Sequence, residues 1–201
     1  MTDSSKKPIG YKRQEGMDHE LYDVLMRMEI GRLELKQRDL KDLQVGPDAS
    51  LWLVQSGWLI GLRQNIEGDM KGTGLHGPGD LIGLVGLSGI TKAIPFYALS
   101  DCIVSRIPTL EFTRMIAKDA KAGAFMVSYL SERYSKLLDE LERSTLLPLG
   151  ERIEAFISQM ESLQGKALSV PQTVIAFAVG AHPVSISRLM NHKHHESSDT
   201  I

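Results

Sequence analysis

Residues Val170 to Arg188 read VPQTVIAFAVGAHPVSISR, and the fold turns on this stretch. It predicts two short helices joined by a tight turn at Gly180. Val174, Ile175 and Val179 supply apolar positions on the first helix, and Ala176 is small enough for close helix packing. Gly180 can take positive φ at the corner without a Cβ clash. Pro183 stands where the first turn of a second helix tolerates a missing N–H. On that helix Ile186 faces inward, leaving Val184, Ser185, Ser187 and Arg188. This is the spacing of a helix-turn-helix, whose second helix enters the DNA major groove. A plain αα-hairpin with a glycine corner has the same pattern.

Composition narrows the classes. At 201 residues the chain can form two small domains or one large one. Its 42% hydrophobic and 24% charged residues are ordinary for a soluble globular protein. A formal charge of −2 argues against a general basic coat, so the distribution of charge matters more than its sum. From Gly165 to His195 the formal charges are Lys166, Arg188 and Lys193 with no acid, and His182, His192, His194 and His195 can add to them. A solvated face would show the same bias. The single cysteine, Cys102, forms no internal disulfide and sits in an apolar run, which indicates a buried structural thiol. No apolar stretch approaches a membrane span, and MTDSSKKPIG lacks a signal-peptide core, so a cytoplasmic protein is expected.

Working outward from the hairpin, residues 1–16 are polar, and Leu21, Val24, Leu25 and Met28 predict a helix from Asp18 to about Arg32. From about Leu35 to Pro108, short apolar runs alternate with turn signals: GPD at 46–48, SG at 56–57, EGD at 67–69, GPGD at 77–80, SGIT at 88–91 and SD at 100–101. Strands so spaced predict a β-sandwich or jelly-roll barrel. Helical periodicity returns near Leu110, with the longest helix from Phe125 to Leu147. Its stripe of Val127, Leu130, Tyr134, Leu137, Leu138 and Leu141 can pack on its own β-domain or pair with a second copy as a short coiled coil. Pro148 ends the helix and marks a domain boundary. A further helix, Gly150 to about Leu163, precedes the helix-turn-helix.

This order of parts resembles the CRP/FNR superfamily of bacterial transcription regulators over roughly residues 18–191. VQSGWLIGL (54–62) resembles the family's strand-glycine-strand element, and GPGDLIG (77–83) its turn before the ligand cassette. YALSDCIVSRIPTLEF (97–112) is similar to its last strands and following helix, LGERIEAFI (149–157) to the first helix of its DNA-binding domain. The implied fold is α+β. An N-terminal jelly-roll β-barrel (a double-stranded β-helix) would span 18–109, a connecting and dimerisation helix 110–147, and an all-α helix-turn-helix domain 148–201. After Arg188 the chain reads LMNHKHHESSDTI, which has little strand character, so no wing is evident.

The resemblance further implies a homodimer, paired through Val127, Leu130, Tyr134, Leu137 and Leu141, that reads a two-fold symmetric operator on double-stranded DNA. Base contacts carry over to Pro183, Val184, Ser187 and Arg188, with Ser185 on a phosphate. Arg188 suits guanine O6 and N7, or else anchors a phosphate. Val184 stands where the family often has a glutamate, and it can only touch a thymine methyl. RNA polymerase and an unidentified small-molecule effector are further candidate partners. The effector pocket maps to Gly83, Leu84, Lys92, Ala93, Leu137 and Leu138. Cyclic-nucleotide members have a glutamate where Leu84 stands, an Arg-Ser pair where Lys92 and Ala93 fall, and hydroxyl residues near Leu137 and Leu138. Losing a charge-assisted phosphate contact and a hydroxyl partner would each cost about 1.5–3 kcal/mol, together more than about a hundredfold in affinity. A cyclic-AMP response is therefore not expected. The alternative is a small-molecule sensor or interaction module of the same fold without specific DNA binding.

Other motifs weigh little. Gly72-Thr73-Gly74-Leu75-His76-Gly77 spells GxGxxG but precedes Pro78 rather than a helix, and reads as a loop. His76 as a haem ligand is outweighed by a solvated loop histidine. An iron–sulfur cluster lacks its cysteines. His192, His194 and His195 read as a polar tail rather than a metal site. No nucleophile-base-acid set is visible, so no enzyme, cofactor or metal is expected.

Overall fold

The computed structural model describes residues 19–64, 66, 68, 70–164 and 170–189. Lys166, Lys193, the histidine tail and the expected site of a wing lie outside the described residues.

Among the described residues the turn signals separate eight strands. These are β1 (Gly31–Leu35), β2 (Leu40–Val45), β3 (Ser50–Ser56), β4 (Leu59–Gln64), β5 (Met70–His76), β6 (Leu81–Ile82), β7 (Lys92–Ala98) and β8 (Cys102–Pro108). They form two four-stranded sheets, β1-β8-β3-β6 and β2-β7-β4-β5, with antiparallel pairing throughout. At the β3–β4 corner Gly57 has φ +81°, and a Cβ there would sit 2.2 Å from the Asp101 carbonyl oxygen. Only glycine fits. Leu35, Leu43, Val54, Leu59, Ile82, Phe96 and Val104 fill the space between the sheets. Full burial of such side chains is worth roughly 1.5–3 kcal/mol each. The thiol of Cys102 donates to Trp58 O at 3.3 Å and Ser100 O at 3.0 Å, and burial pushes its pKa up to about 11. It is a packed thiol rather than a reactive one.

Helices cover both outer faces of the barrel. On the first sheet, Leu51, Leu53, Leu81 and Ile107 pack beneath α1 (His19–Arg27), α2 (Thr109–Lys118) and the start of α3 (Ala120–Leu146). On the second, Trp58, Ile60, Leu62 and Leu99 meet Met160 of α4 (Leu149–Gln164) and Val174 of α5 (Gln172–Val179). The second contact is close: a Cβ on Gly72 of β5 would lie 2.9 Å from Phe177 O and 3.2 Å from Ala178 Cα. The C-terminal helices are thus docked on the barrel through an apolar layer.

Three local expectations shift. The first helix ends at Arg27 instead of about Arg32, because residues 31–35 pair with β8 from Gly31↔Arg106 to Leu35↔Cys102. Helical periodicity after Leu110 resolves into two helices broken at Asp119, whose carboxylate accepts from Lys121 N at 2.9 Å and Ala122 N at 3.3 Å and so starts α3. The GxGxxG stretch is mostly strand β5, held by pairing with β4, and not a loop. α3 ends as expected: Leu147 is extended (φ −89°, ψ 139°) before Pro148.

Candidate nucleic-acid interface

The hairpin at residues 172–189 is built from both ends. α5 stops at Gly180 (φ +65°), whose N–H turns back to the carbonyls of Ala176 and Phe177, while Ala181 N reaches Ala176 O at 2.9 Å. These bonds satisfy carbonyls that a helix end leaves open. Arg152 of α4 donates from Nη1 to Val179 O at 2.8 Å and closes another. The second helix, α6, covers residues 183–189. His182 caps it: its carbonyl accepts from Ser185 N at 2.9 Å, and its Nδ1 accepts the Val184 N–H at 3.3 Å. Pro183 occupies the first helical position.

Burial divides α6 into two faces. Ile186 is 0% exposed and packs with Ile153, Ile175, Ala176 and Val179. Val184, Ser185 and Arg188 are exposed, and Pro183 and Ser187 are half-buried. With Ile186 buried, Val184, Ser185 and Arg188 stand on the exposed face of α6, and Pro183 and Ser187 lie at its margins. Arg188 is the one formally charged residue between 170 and 189.

The pairing candidates share a second surface. On α3, Ala122, Met126 and Tyr129 are buried against the barrel. Val127, Leu130, Tyr134, Leu137 and Leu141, spaced alternately by three and four residues, are 45–67% exposed. The stripe does not pack on its own barrel.

The effector candidates are arranged differently. Gly83 (φ +91°) leads into a 3-10 turn at Leu84–Ser88 that lies hard against the β2–β3 corner. A Cβ on Gly83 would meet Val45 Cγ1 at 2.6 Å, and one on Gly86 would meet Gly46 N at 2.8 Å. Leu84 joins the core under α1 and α2. Lys92 and Ala93 pair with Val45 and Gln44 at the start of β7. Leu137 borders a cleft beside β5, and none of Gly83, Leu84, Lys92 or Ala93 lines that cleft. Leu138 is 46% exposed.

One polar junction escaped the sequence reading. Asp80 of the GPGD turn is buried; its Oδ2 accepts from Gly77 N at 2.9 Å and from Arg133 Nη1 at 3.4 Å. Arg133 also places Nη2 3.3 Å from Nδ1 of His76, and Tyr129 Oη accepts the Leu81 N–H at 2.8 Å. Desolvation raises the Asp80 carboxyl, with the Arg133 charge opposing, and pushes the His76 imidazole down to about 3, with Arg133 adding to the effect. His76 is therefore a neutral ring set edge-on to Phe96, centroids 5.5 Å apart, and not a solvated loop histidine. Tyr129 and Arg133 stand four apart on α3, which is the signal that a helix face meets the turn. Among the described residues no group of three or more His, Cys, Asp or Glu is placed to hold a metal, and no helix is long and apolar enough to cross a membrane.

No protein-family model and no curated protein sequence matches the chain. Solved structures do. CLP, a c-di-GMP responsive global regulator from Xanthomonas campestris, is similar with TM-score 0.72 and 17% identity over 90% of this chain and 93% of that one. FixK2 from Bradyrhizobium japonicum is similar with TM-score 0.67 and 16% identity over 83% and 85%. A CRP/FNR-family transcriptional regulator from Thermus thermophilus gives TM-score 0.66 and 18% identity over 83% and 87%. At such identities the likeness is one of fold, and the fold of this chain is that of the CRP/FNR transcription regulators.

Proposed function

We propose that the chain is a CRP/FNR-type transcription regulator that binds DNA as a homodimer and reads a two-fold symmetric operator through α6. The observation that carries this reading is the orientation of α6. Ile186 anchors one face, while Val184, Ser185, Ser187 and Arg188 stand on the other behind a capped N-terminus. A guanidinium there can bond guanine O6 and N7 in the major groove. The exposed stripe of α3 supports pairing, since alternating three- and four-residue spacing is the seam of a coiled coil. In this reading residues 18–109 are the sensor barrel, 110–147 the connecting and pairing segment, and 148–201 the reading head. Leu84, packed against the core where cyclic-nucleotide members have a glutamate, supports a regulator that does not answer to cyclic AMP.

A second reading, a sensor or interaction module without specific DNA binding, is favoured by one observation: the exposed charges of α4 include Glu151, Glu154 and Glu161, against Arg188 alone on α6. Such acids repel phosphates. Operator selection from random duplex DNA decides between the two. Recovery of a palindromic sequence, lost in Arg188→Ala, supports the first reading; no enriched sequence from the full-length protein overturns it.

A further inference from the structure

The first turn of α6 has no open backbone donor. Pro183 carries no N–H, and the Val184 N–H is held by His182 Nδ1 at 3.3 Å. The Ser185 and Ile186 N–H groups both go to the His182 carbonyl, at 2.9 and 3.4 Å. Helix N-termini commonly offer such N–H groups to a phosphate. Here they are used within the chain, so the start of α6 meets DNA through its side chains alone.

Those side chains carry few recognition chemistries. The outward face holds Val184, Ser185 and Arg188, with Pro183 and Ser187 at its margins. Among the described residues of α6 there is no carboxylate or amide to pair with a cytosine or adenine edge. A serine hydroxyl bonds either kind of base edge and so discriminates little, whereas a guanidinium selects guanine. What remains is apolar: Val184 is 49% exposed and follows Pro183 directly. In the major groove the base edges present one apolar feature, the C5-methyl of thymine. 5-Methylcytosine carries the same group at the same place. Val184 and Arg188 are four residues apart, about 6 Å along the helix axis, and base pairs rise by about 3.4 Å per step. The two side chains therefore meet base pairs no more than about two steps apart.

We propose that the tip of α6 is a reader of 5-methylpyrimidines. In each operator half-site a T·A pair lies within two steps of the guanine bonded by Arg188, and the Val184 isopropyl group packs on its methyl. 5-Methylcytosine in that place serves as well, which makes binding sensitive to cytosine methylation. This inference rests on the DNA-reading function proposed above and adds what its apolar contact recognises.

The test starts from the operator selected by the full-length protein, with its guanine identified by the preference lost in Arg188→Ala. Each thymine is then replaced in turn by deoxyuridine, which lacks only the methyl. Competition binding should weaken by about fourfold at one thymine per half-site, the worth of one methyl group removed from water. Replacing that T·A pair by C·G should also weaken binding, and 5-methylcytosine should recover about fourfold. Val184→Ser alters an exposed side chain and keeps Arg188. In it the thymine-to-uracil ratio should fall to about one while the guanine preference stays. A ratio of one at every thymine within two steps of that guanine overturns the proposal, as does a half-site lacking thymine there. A ratio that survives Val184→Ser overturns it too, because another residue then reads the methyl. Failure to select any sequence refutes instead the DNA reading itself.

Discussion

Gly72→Ala tests the docking of the reading head on the barrel with a single added methyl group. Gly72 has no positive φ, so alanine meets no backbone strain there, and any cost must come from contact. The new Cβ would lie 2.9 Å from Phe177 O, 3.2 Å from Ala178 Cα and 2.9 Å from Ile60 Cδ1. The isoleucine tip can move aside. The two backbone atoms belong to α5, which Arg152 and the core around Ile186 hold on their other side, so α5 must shift away from β5 as a unit. Overpacking of this kind costs about 1–3 kcal/mol. For a chain of this size each kcal/mol lowers Tm by about 2–4 °C, which puts the expected drop at roughly 2–12 °C. Calorimetry measures it, and the emission of Trp58, buried in the same apolar layer, should move to the red as that layer opens. Gly74→Ala is the contrasting variant. Gly74 has φ +131° and nothing within 4 Å of a Cβ, so its cost is backbone strain alone and the Trp58 emission should stay put. If Gly72→Ala leaves both Tm and the Trp58 spectrum unchanged, the head is not seated on β5 as described and the reasoning fails.

Other expectations follow from the same contacts. Ile186→Ala removes a fully buried anchor and should cost about 2–5 kcal/mol in denaturant unfolding, whereas exposed Arg188→Ala should stay within about 0.5 kcal/mol of wild type. On a selected operator Arg188→Ala should lose about 1–3 kcal/mol of base discrimination in competition binding. Leu130→Asp with Leu141→Asp should give monomers by light scattering while Tm is retained, because both side chains are exposed; a persistent dimer would move the interface elsewhere. His76 has a native pKa near 3 against an ordinary 6.5, so between those values the unfolded chain binds a proton that the folded chain refuses. Stability should therefore fall as pH drops below about 6.5, by up to about 1.4 kcal/mol per unit, and His76→Gln should flatten that limb in urea titrations at pH 7, 6 and 5.

The architecture was legible because it is written in local rules. Turn residues such as Gly57 and Gly77–Asp80 punctuate short apolar runs, Pro148 cannot continue α3, and Gly180 with Pro183 fixes the corner of the hairpin. The inward Ile186 and outward Arg188 follow from helical period alone. The start of β1, Gly31 and Arg32, falls within the helix expected to about Arg32, because the pairing partner β8 lies about 70 residues away, beyond any window of periodicity. The GxGxxG stretch failed for a different reason: its glycines leave no apolar alternation, and only hairpin pairing with the preceding strand β4 makes it a strand.

What the sequence by itself determined is thus the kind and order of most elements, β5 excepted, down to the inward Ile186 and outward Arg188 of α6. Each of those depends on neighbours within a few turns of chain. Tertiary structure alone decided that Arg133 closes on Asp80 and His76 and that α5 lies against Gly72. Those facts depend on distances across the barrel, set by packing between segments that the linear order leaves unrelated.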